Sequence, residues 1–465
     1  MNALLTLSLM ELSAEIRARR VSPLEATEAC LHRIGERDGV LNSFITVTAD
    51  SALAEARQRT EELAAGRWRG PLHGVPLALK DLFLTAGVRT TSGSAVLRDW
   101  VPDRDATVVR RLRDAGAILL GKLNMHEHAF GATSENPHFG PVRNAHDPER
   151  IAGGSSGGSA TAVADGLCFG SLGSDTGGSI RCPASLCGVV GLKPTYGRIS
   201  RAGVLPLSWS LDHVGPIART VADAAAMLEA VSGYDSADAT AAKERVPPFT
   251  SRLDAGVRGL RLALPREHFW RPIQPQVRDA ALAAIAGLEQ AGAVVEEISL
   301  PLLEYAPAAQ ALIICSEAAT YHREQLAANY EQYGADVRMR LLQGLCISAR
   351  DYLDAQRVRA VVRREFLEAL RDYDGFLTPT VPIPAPKMGQ QVVEVEGLTA
   401  PPLFFLLRNT SPFNLTGLPA ATVPCGLADG LPVGLQIAGR PWDEATVLQI
   451  AYAVEQWRSA RITPA

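Results

Sequence analysis

The chain has little charge, and no region where one sign prevails: charged residues make up 21% of its 465 residues, and the formal net charge is −4. Without a block of like charges, nucleic acid and anionic membrane are excluded as main partners, and a small-molecule substrate is expected. No apolar run approaches the ~20 residues that a membrane span needs. The first residues, MNALLTLSLMELSAE, lack a cationic n-region, and Glu11 and Glu15 follow at helical spacing, so no signal peptide is read there. Seven cysteines are an odd number without a paired pattern, which argues against a disulfide framework. Reduced thiols and a cytoplasmic location are the expectation. Lysine is scarce, and none of Lys80, Lys122, Lys193, Lys243 or Lys387 has a serine three residues before it, which excludes an S-x-x-K enzyme. Metal-ligand spacing is missing too. His126-Glu127-His128 sets its histidines two apart, whereas zinc hydrolases place them four apart on one helical face. A polar rim near a site is the simpler reading, and neither metal nor cofactor is expected. Gly116–Lys122 has the spacing of a phosphate loop, but Leu123 stands where Ser or Thr is needed and the interior is an apolar strand.

What is present centres on residues 153–181, GGSSGGSATAVADGLCFGSLGSDTGGSIR, where two Gly/Ser loops flank an alanine-rich segment. Flexible linkers have such composition. Linkers do not, however, alternate with apolar segments such as Ala160–Ala164 and Leu167–Leu172, nor carry an Asp and an Arg at the turn. Glycine lets a backbone approach a ligand closely, so Gly153, Gly154, Gly157 and Gly158 around Ser155, and Gly177 and Gly178 before Ser179, imply constrained turns that present hydroxyls and amides together. A hydroxyl after Asp175-Thr176-Gly177-Gly178 is placed to attack a carbonyl while the turn's amides receive the developing charge. A nucleophilic serine still needs a base. The run Gly153–Gly157 also fits G-x-S-x-G, which keeps open an α/β-hydrolase-type esterase using Ser155 with His213, His268 or His322. A thiol amidase built on Cys182 lacks a nearby base.

Around this stretch the pattern is α/β. Residues 8–19 read as an amphipathic helix, and Ser22-Pro23-Leu24-Glu25 opens a second with a capping box. A third helix runs from Asp50 to about Ala65 and stops at Gly66, before a buried strand at Leu72–Leu79 that ends in Lys80. Asp105 caps a helix over 105–115, followed by a strand at Ala117–Leu120. Pro183 fits the first turn of a short helix ending near Gly188. Further on come a strand at Leu260–Leu264, helices at about 276–292, 306–329 and 335–371, and a strand at Gly375–Leu377. Asp429-Gly430 signals a hairpin. The length permits two or three domains, but a hydrophobic content of 47% supports one sheet and core.

The Gly/Ser stretch, together with GVPLALKD at 74–81, CGVVGLKPTYGRISRAG at 187–203, LDHVGPIARTVADA at 211–224 and SPFNLTGLPAATVPCG at 411–426, resembles the amidase signature family of serine hydrolases. The similarity spans nearly the whole chain and is loose over 240–400. It implies a single large domain with a mixed, mostly parallel central sheet flanked by helices. Its parts would be N-terminal helices at about 8–66, a signature core at about 70–230, a variable part at about 240–400 and a closing hairpin and helix at about 405–460. It further implies a Ser-Ser-Lys triad, with Ser179 as nucleophile, Ser155 after a cis Gly154–Ser155 bond as relay, and Lys80 as base. The backbone N–H groups of Thr176, Gly177, Gly178 and Ser179 would form the oxyanion hole, with Asp175 and Arg181 supporting the loops. On spacing alone, Lys80 reads as a snorkelling surface residue; the resemblance makes it a buried, neutral base. The family usually has Asp-Glu-Phe near positions 126–128, so the two histidines are a departure. The activity implied is amide hydrolysis through an acyl-enzyme, and a homodimer stays open. One branch comprises the glutaminase components of tRNA-dependent amidotransferases, which carry an acidic residue for the glutamine ammonium a few positions before the segment matching Ser411–Asn414. Leu407 stands near that place, so a stand-alone amidase for a more apolar amide is favoured over a glutaminase component of an amidotransferase. The reading of another class is a non-catalytic scaffold, and the presence of Lys80, Ser155 and Ser179 speaks against it.

Overall fold

The computed structural model describes residues 3–462. Eleven strands form one sheet: β1 (Phe44–Val47), β2 (Pro76–Lys80), β3 (Ile118–Leu123), β4 (Gly170–Asp175), β5 (Val190–Lys193), β6 (His213–Ala218), β7 (Arg261–Pro265), β8 (Val294–Ile298), β9 (Gly375–Pro379), β10 (Ala420–Ala428) and β11 (Leu431–Ala438). Their order across the sheet is β1-β3-β2-β4-β6-β5-β10-β11-β9-β7-β8. The sheet is mixed, as expected, but it is less parallel than the resemblance implied. Parallel pairing joins β3, β2 and β4 on one side and β9, β7 and β8 on the other. Every pairing between those groups is antiparallel. Part of the reason is local: Asp429 and Gly430, both at positive φ, form the tight turn that folds β11 back on β10.

The central strands are buried along their whole length, which is why β2 and β3 read as near-continuous apolar runs; β4, GSLGSD, is equally buried but small and polar. Helices cover both faces. Two N-terminal helices, Leu9–Arg17 and Pro23–Leu41, start with the reciprocal capping boxes that Ser8/Glu11 and Ser22/Glu25 make. Two expectations needed correction. Asp105 does not cap the Thr107–Asp114 helix; its carboxylate accepts the Ala86 N–H instead. The helix expected over 335–371 is two, Ala335–Leu345 and Ala349–Ala369. The Ser348 hydroxyl accepts the Asp351 N–H and starts a new helix where periodicity alone would continue the old one. Within the first of the two, Gly344 packs so closely that a Cβ there would lie 2.1 Å from the Cys315 carbonyl oxygen. This draws Ala335–Leu345 against the long Ala306–Ala328 helix.

The parallel trio sets up the site. Strands β2 and β4 are neighbours running the same way, with Ala78 opposite Ser171, so Lys80 and Asp175 leave the sheet at the same edge. Ligand sites of α/β sheets lie at this carboxyl edge.

Candidate active site

Lys80 is fully buried at the end of β2. Its Nζ lies 2.6 Å from Ser155 Oγ and 2.9 Å from Ser174 Oγ. Burial lowers its pKa to about 7, and the charges of Asp175 and Asp212 pull the other way without reversing the shift. A lysine held between two hydroxyls, with no carboxylate in contact, is deprotonated far more readily than one in water. The surface alternative for Lys80 is therefore excluded by its position. Ser174, its second partner, was not anticipated. The SLGSD pattern shows a serine there, but only the pleat of β4 decides which way it points.

Ser155 follows a cis Gly154–Ser155 peptide bond, and its carbonyl accepts the His126 N–H at 3.1 Å. The His126-Glu127-His128 segment thus touches the site through its backbone. Its side chains turn elsewhere: His126 pairs with Asp336 at 2.9 Å, Glu127 accepts from Ser94 and the Gly334 N–H, and His128 faces His322 and Tyr333. Among the described residues, no group of three or more His, Cys, Asp and Glu is placed to hold a metal.

Ser179 sits at the end of the second Gly/Ser turn and borders a cavity of ≈ 330 Å³. Four carbonyls of this turn are tied outward. Thr176 O accepts from Gln310, Gly177 O from the Thr410 hydroxyl, Gly178 O from the Cys182 N–H and Ser179 O from the Ser156 N–H. Among the described residues, the N–H groups of Gly177, Gly178 and Ser179 donate to no protein acceptor. Free amides in a turn whose carbonyls are occupied are what an oxyanion site requires. Gly178 has φ +137, and a Cβ there would meet Thr410 Oγ1 at 2.0 Å, so only glycine fits.

Beneath the turn lies a buried ionic cluster. Arg181 donates to both oxygens of Asp175, from Nε at 3.0 Å and Nη2 at 2.9 Å, and also to Thr410 O, Gln436 Oε1 and Asn414 Oδ1. Every guanidinium nitrogen is engaged, and the Asp175 carboxyl, against its burial, is held well below the usual range by Arg181. The partners from 410–436 were not foreseen, since nothing in spacing links residues 230 positions apart. Asp212 was missed as well. It accepts the Thr176 hydroxyl at 2.6 Å and the N–H groups of Leu207 and Ser208, and burial raises its pKa to about 6.

The histidines that would serve an α/β-hydrolase arrangement are engaged elsewhere. His213 faces the Leu211 carbonyl, His268 the Arg408 carbonyl, and His322 Tyr333. Cys182 is buried, and its thiol is pushed up to about 12, which leaves no thiolate for catalysis.

The cavity wall comes from the region of loose resemblance. Ile314 and Cys315 on the long helix, Leu403, Phe404 and Leu407 on the Pro402–Arg408 helix, and Phe130 make it largely apolar. Gln310, Gln343, Arg340 and Arg408 are the large polar side chains that border it, and among the described residues no carboxylate lines it.

A family model described as Amidase matches residues 25–448. The A component of the glutamyl-tRNA(Gln) amidotransferase of Moorella thermoacetica is 46% identical, over 96% of this chain and 95% of its own. A solved structure described as part of a vestigial protein complex that reveals the origins of an s-triazine catabolic enzyme superposes with TM-score 0.94. It is 38% identical and covers 97% of this chain and 98% of that one. The peptide amidase of Stenotrophomonas maltophilia superposes with TM-score 0.83 at 34% identity, over 97% and 96% of the two chains.

Proposed function

The chain belongs to the Amidase family, enzymes acting on amide bonds, and from that premise we propose that it cleaves a small carboxamide through an ester on Ser179. In this reading it works as the amide-hydrolysing component of an assembly, like its amidotransferase relatives. The carrying observation is the buried contact of Lys80 Nζ with Ser155 Oγ at 2.6 Å, beside a turn of free amides. Neutral Lys80 takes the Ser155 proton as Ser155 takes that of Ser179, and Ser179 Oγ bonds to the acyl carbon. The resulting oxyanion is received by the N–H groups of the turn. The proton returns through Ser155 to the nitrogen, the C–N bond breaks, and ammonia or an amine leaves. Water then hydrolyses the ester along the same path in reverse. Asp175 and Arg181 hold the turn from below. Labelling with a fluorophosphonate and mapping the adduct tests the assignment: it is expected on Ser179, and an adduct on Ser155 or Cys182 would overturn it.

The sequence favoured a stand-alone amidase, but relatives at 46% identity over at least 95% of each chain better support the reading as part of an assembly. One observation favours a second reading of the substrate. Among the described residues Leu407 lines the cavity and no carboxylate does, so the ammonium of a glutamine zwitterion meets no anion there, while Arg340 and Arg408 border the space. A small amide with an apolar or anionic acyl portion satisfies this wall better than glutamine. Rates on glutamine and on a panel of neutral and anionic amides, with and without partner proteins and tRNA, separate the two. Glutaminase activity that appears only with the partners would sink the second reading.

A further inference from the structure

Two buried carboxylates act on Lys80 by their charge, and the fold treats them differently. Asp175 takes two hydrogen bonds from the Arg181 guanidinium. Among the described residues, no Lys, Arg or His forms an ion pair with Asp212. Its contacts are hydrogen bonds from neutral donors. Oδ1 accepts the Thr176 hydroxyl at 2.6 Å, Oδ2 accepts the Leu207 N–H at 2.9 Å, and the Ser208 N–H reaches both oxygens, at 3.1 and 3.0 Å. A carboxamide, with one acceptor atom, cannot satisfy this set.

The placement joins two parts of the site. Thr176 opens the turn of free amides, and its carbonyl is tied by Gln310 at 2.7 Å, so Asp212 supplies a second tie through the side chain. Asp212 is not among the residues that line the cavity at Ser179. It borders a neighbouring one of ≈ 240 Å³, together with Ser174, the second hydroxyl on Lys80. Burial lowers the Lys80 pKa, and the charges of Asp175 and Asp212 oppose that fall. Burial raises the pKa of Asp212 itself to about 6, so it is charged over the range in which Lys80, at about 7, loses its proton. The other charged or titratable groups about it are few. Arg201 donates to its backbone carbonyl, His213 and Asp238 border the same cavity, and Glu317 accepts the Ser208 hydroxyl.

We propose that Asp212 is a positioning residue of the reaction: its carboxylate fixes the head of the oxyanion turn through the Thr176 hydroxyl, and its charge, which no ion pair cancels, acts on Lys80. The inference rests on the acyl-enzyme reading above, because that reading gives the turn and Lys80 their tasks. It extends that reading by naming a residue outside the substrate cavity on which both depend. Such a residue matters because a misplacement of about 1 Å at a reacting centre costs on the order of 10²-fold in rate.

The test reads the second-order rate of fluorophosphonate labelling at Ser179 from about pH 5 to about pH 9, which calls on both the base and the turn. In the unaltered protein the rate is expected to rise through an inflection near 7. Asp212→Asn removes the charge. It is expected to lower the plateau about 10-fold or more and to move the inflection down by roughly half a pH unit, because the ammonium form of Lys80 loses a stabilising anion. Thr176→Val removes only the hydroxyl and is expected to lower the plateau about 10-fold with the inflection in place; Thr176→Ser is expected to recover about 3-fold or more of that loss. A merely structural role would move the plateau alone. An inflection in Asp212→Asn that stays or rises, a Thr176→Val plateau within about 2-fold of the parent's, or a serine no better than the valine would overturn the proposal. Should Asp212→Asn not fold, the two Thr176 variants decide it. An unaltered protein that labels elsewhere than Ser179 overturns the acyl-enzyme reading and this inference with it, whereas Ser179 labelling that the variants leave unchanged overturns this inference alone.

Discussion

The floor and the wall of the cavity are built in opposite ways. The floor, from β2, β4 and the two Gly/Ser turns, is buried: Lys80, Ser155, Asp175 and Arg181 are fully so, and each of these four side chains has named partners. The wall, from the Ala306–Ala328, Ala335–Leu345 and Pro402–Arg408 helices, is apolar, and part of it, such as Phe404, is open to solvent. A buried polar network tolerates little change because each group left unpaired keeps its desolvation cost. An apolar wall tolerates substitution as long as volume is kept. On the proposed reading chemistry resides in the floor and choice of substrate in the wall, and the two should respond differently to mutation.

The largest expected effect is on the floor. Ser179→Ala should lower kcat by about 10⁴-fold or more, as loss of a nucleophile does in triad enzymes, and abolish fluorophosphonate labelling. Near-normal turnover in this variant would break the comparison at once. Next comes the base. With the Lys80 pKa lowered to about 7, the neutral form predominates above that pH, so kcat/KM should rise with pH through an inflection near 7 to a plateau. Lys80→Arg should remove that limb and lower the rate by roughly 10²–10⁴-fold, because guanidinium stays protonated. A pH profile unchanged in the variant would remove Lys80 from the role.

Arg181→Met probes the floor as structure. It leaves Asp175 buried without its partner, and a broken buried pair costs about 3–5 kcal/mol, read as a lower midpoint in urea unfolding. The sign with pH follows from Asp175, whose pKa is depressed in the folded chain. Its contribution is present above the unfolded carboxylate value and is lost as pH falls toward the folded one. The variant should therefore differ most from the parent near neutral pH and least in acid. The smallest effect belongs to the wall. Leu407→Asp should move the ratio of kcat/KM for glutamine against a neutral amide about 10-fold toward glutamine, with the kcat for other amides within roughly 3-fold. If instead it abolished all activity, floor and wall would not be separable.

Much of the floor was legible before the fold was known. The glycines around Ser155 and Ser179 signalled tight turns, and the apolar run before Lys80 signalled a buried strand. The order in which those strands pair was not legible, and neither was the break at Ser348, where a local side-chain bond to the backbone overrides a continuing period. Ser174, Asp212 and the Arg181 partners Asn414 and Gln436 escaped because their meaning depends on which residues the sheet brings together. Single serines, aspartates and asparagines carry no periodic signal of their own.

By itself, the sequence determined where the chain must turn sharply and which segments must be buried, because positive φ and hydrophobic periodicity are properties of neighbouring residues. It also determined that a serine, a second serine and a scarce lysine stand at the ends of those segments. Tertiary structure alone decided that Lys80 meets Ser155, with Nζ 2.6 Å from Oγ, and that Asp175 is neutralised by Arg181 rather than by Lys80. Distances, burial and the pKa shifts that follow from them are sums over atoms far apart in the chain, and only the folded packing sets them.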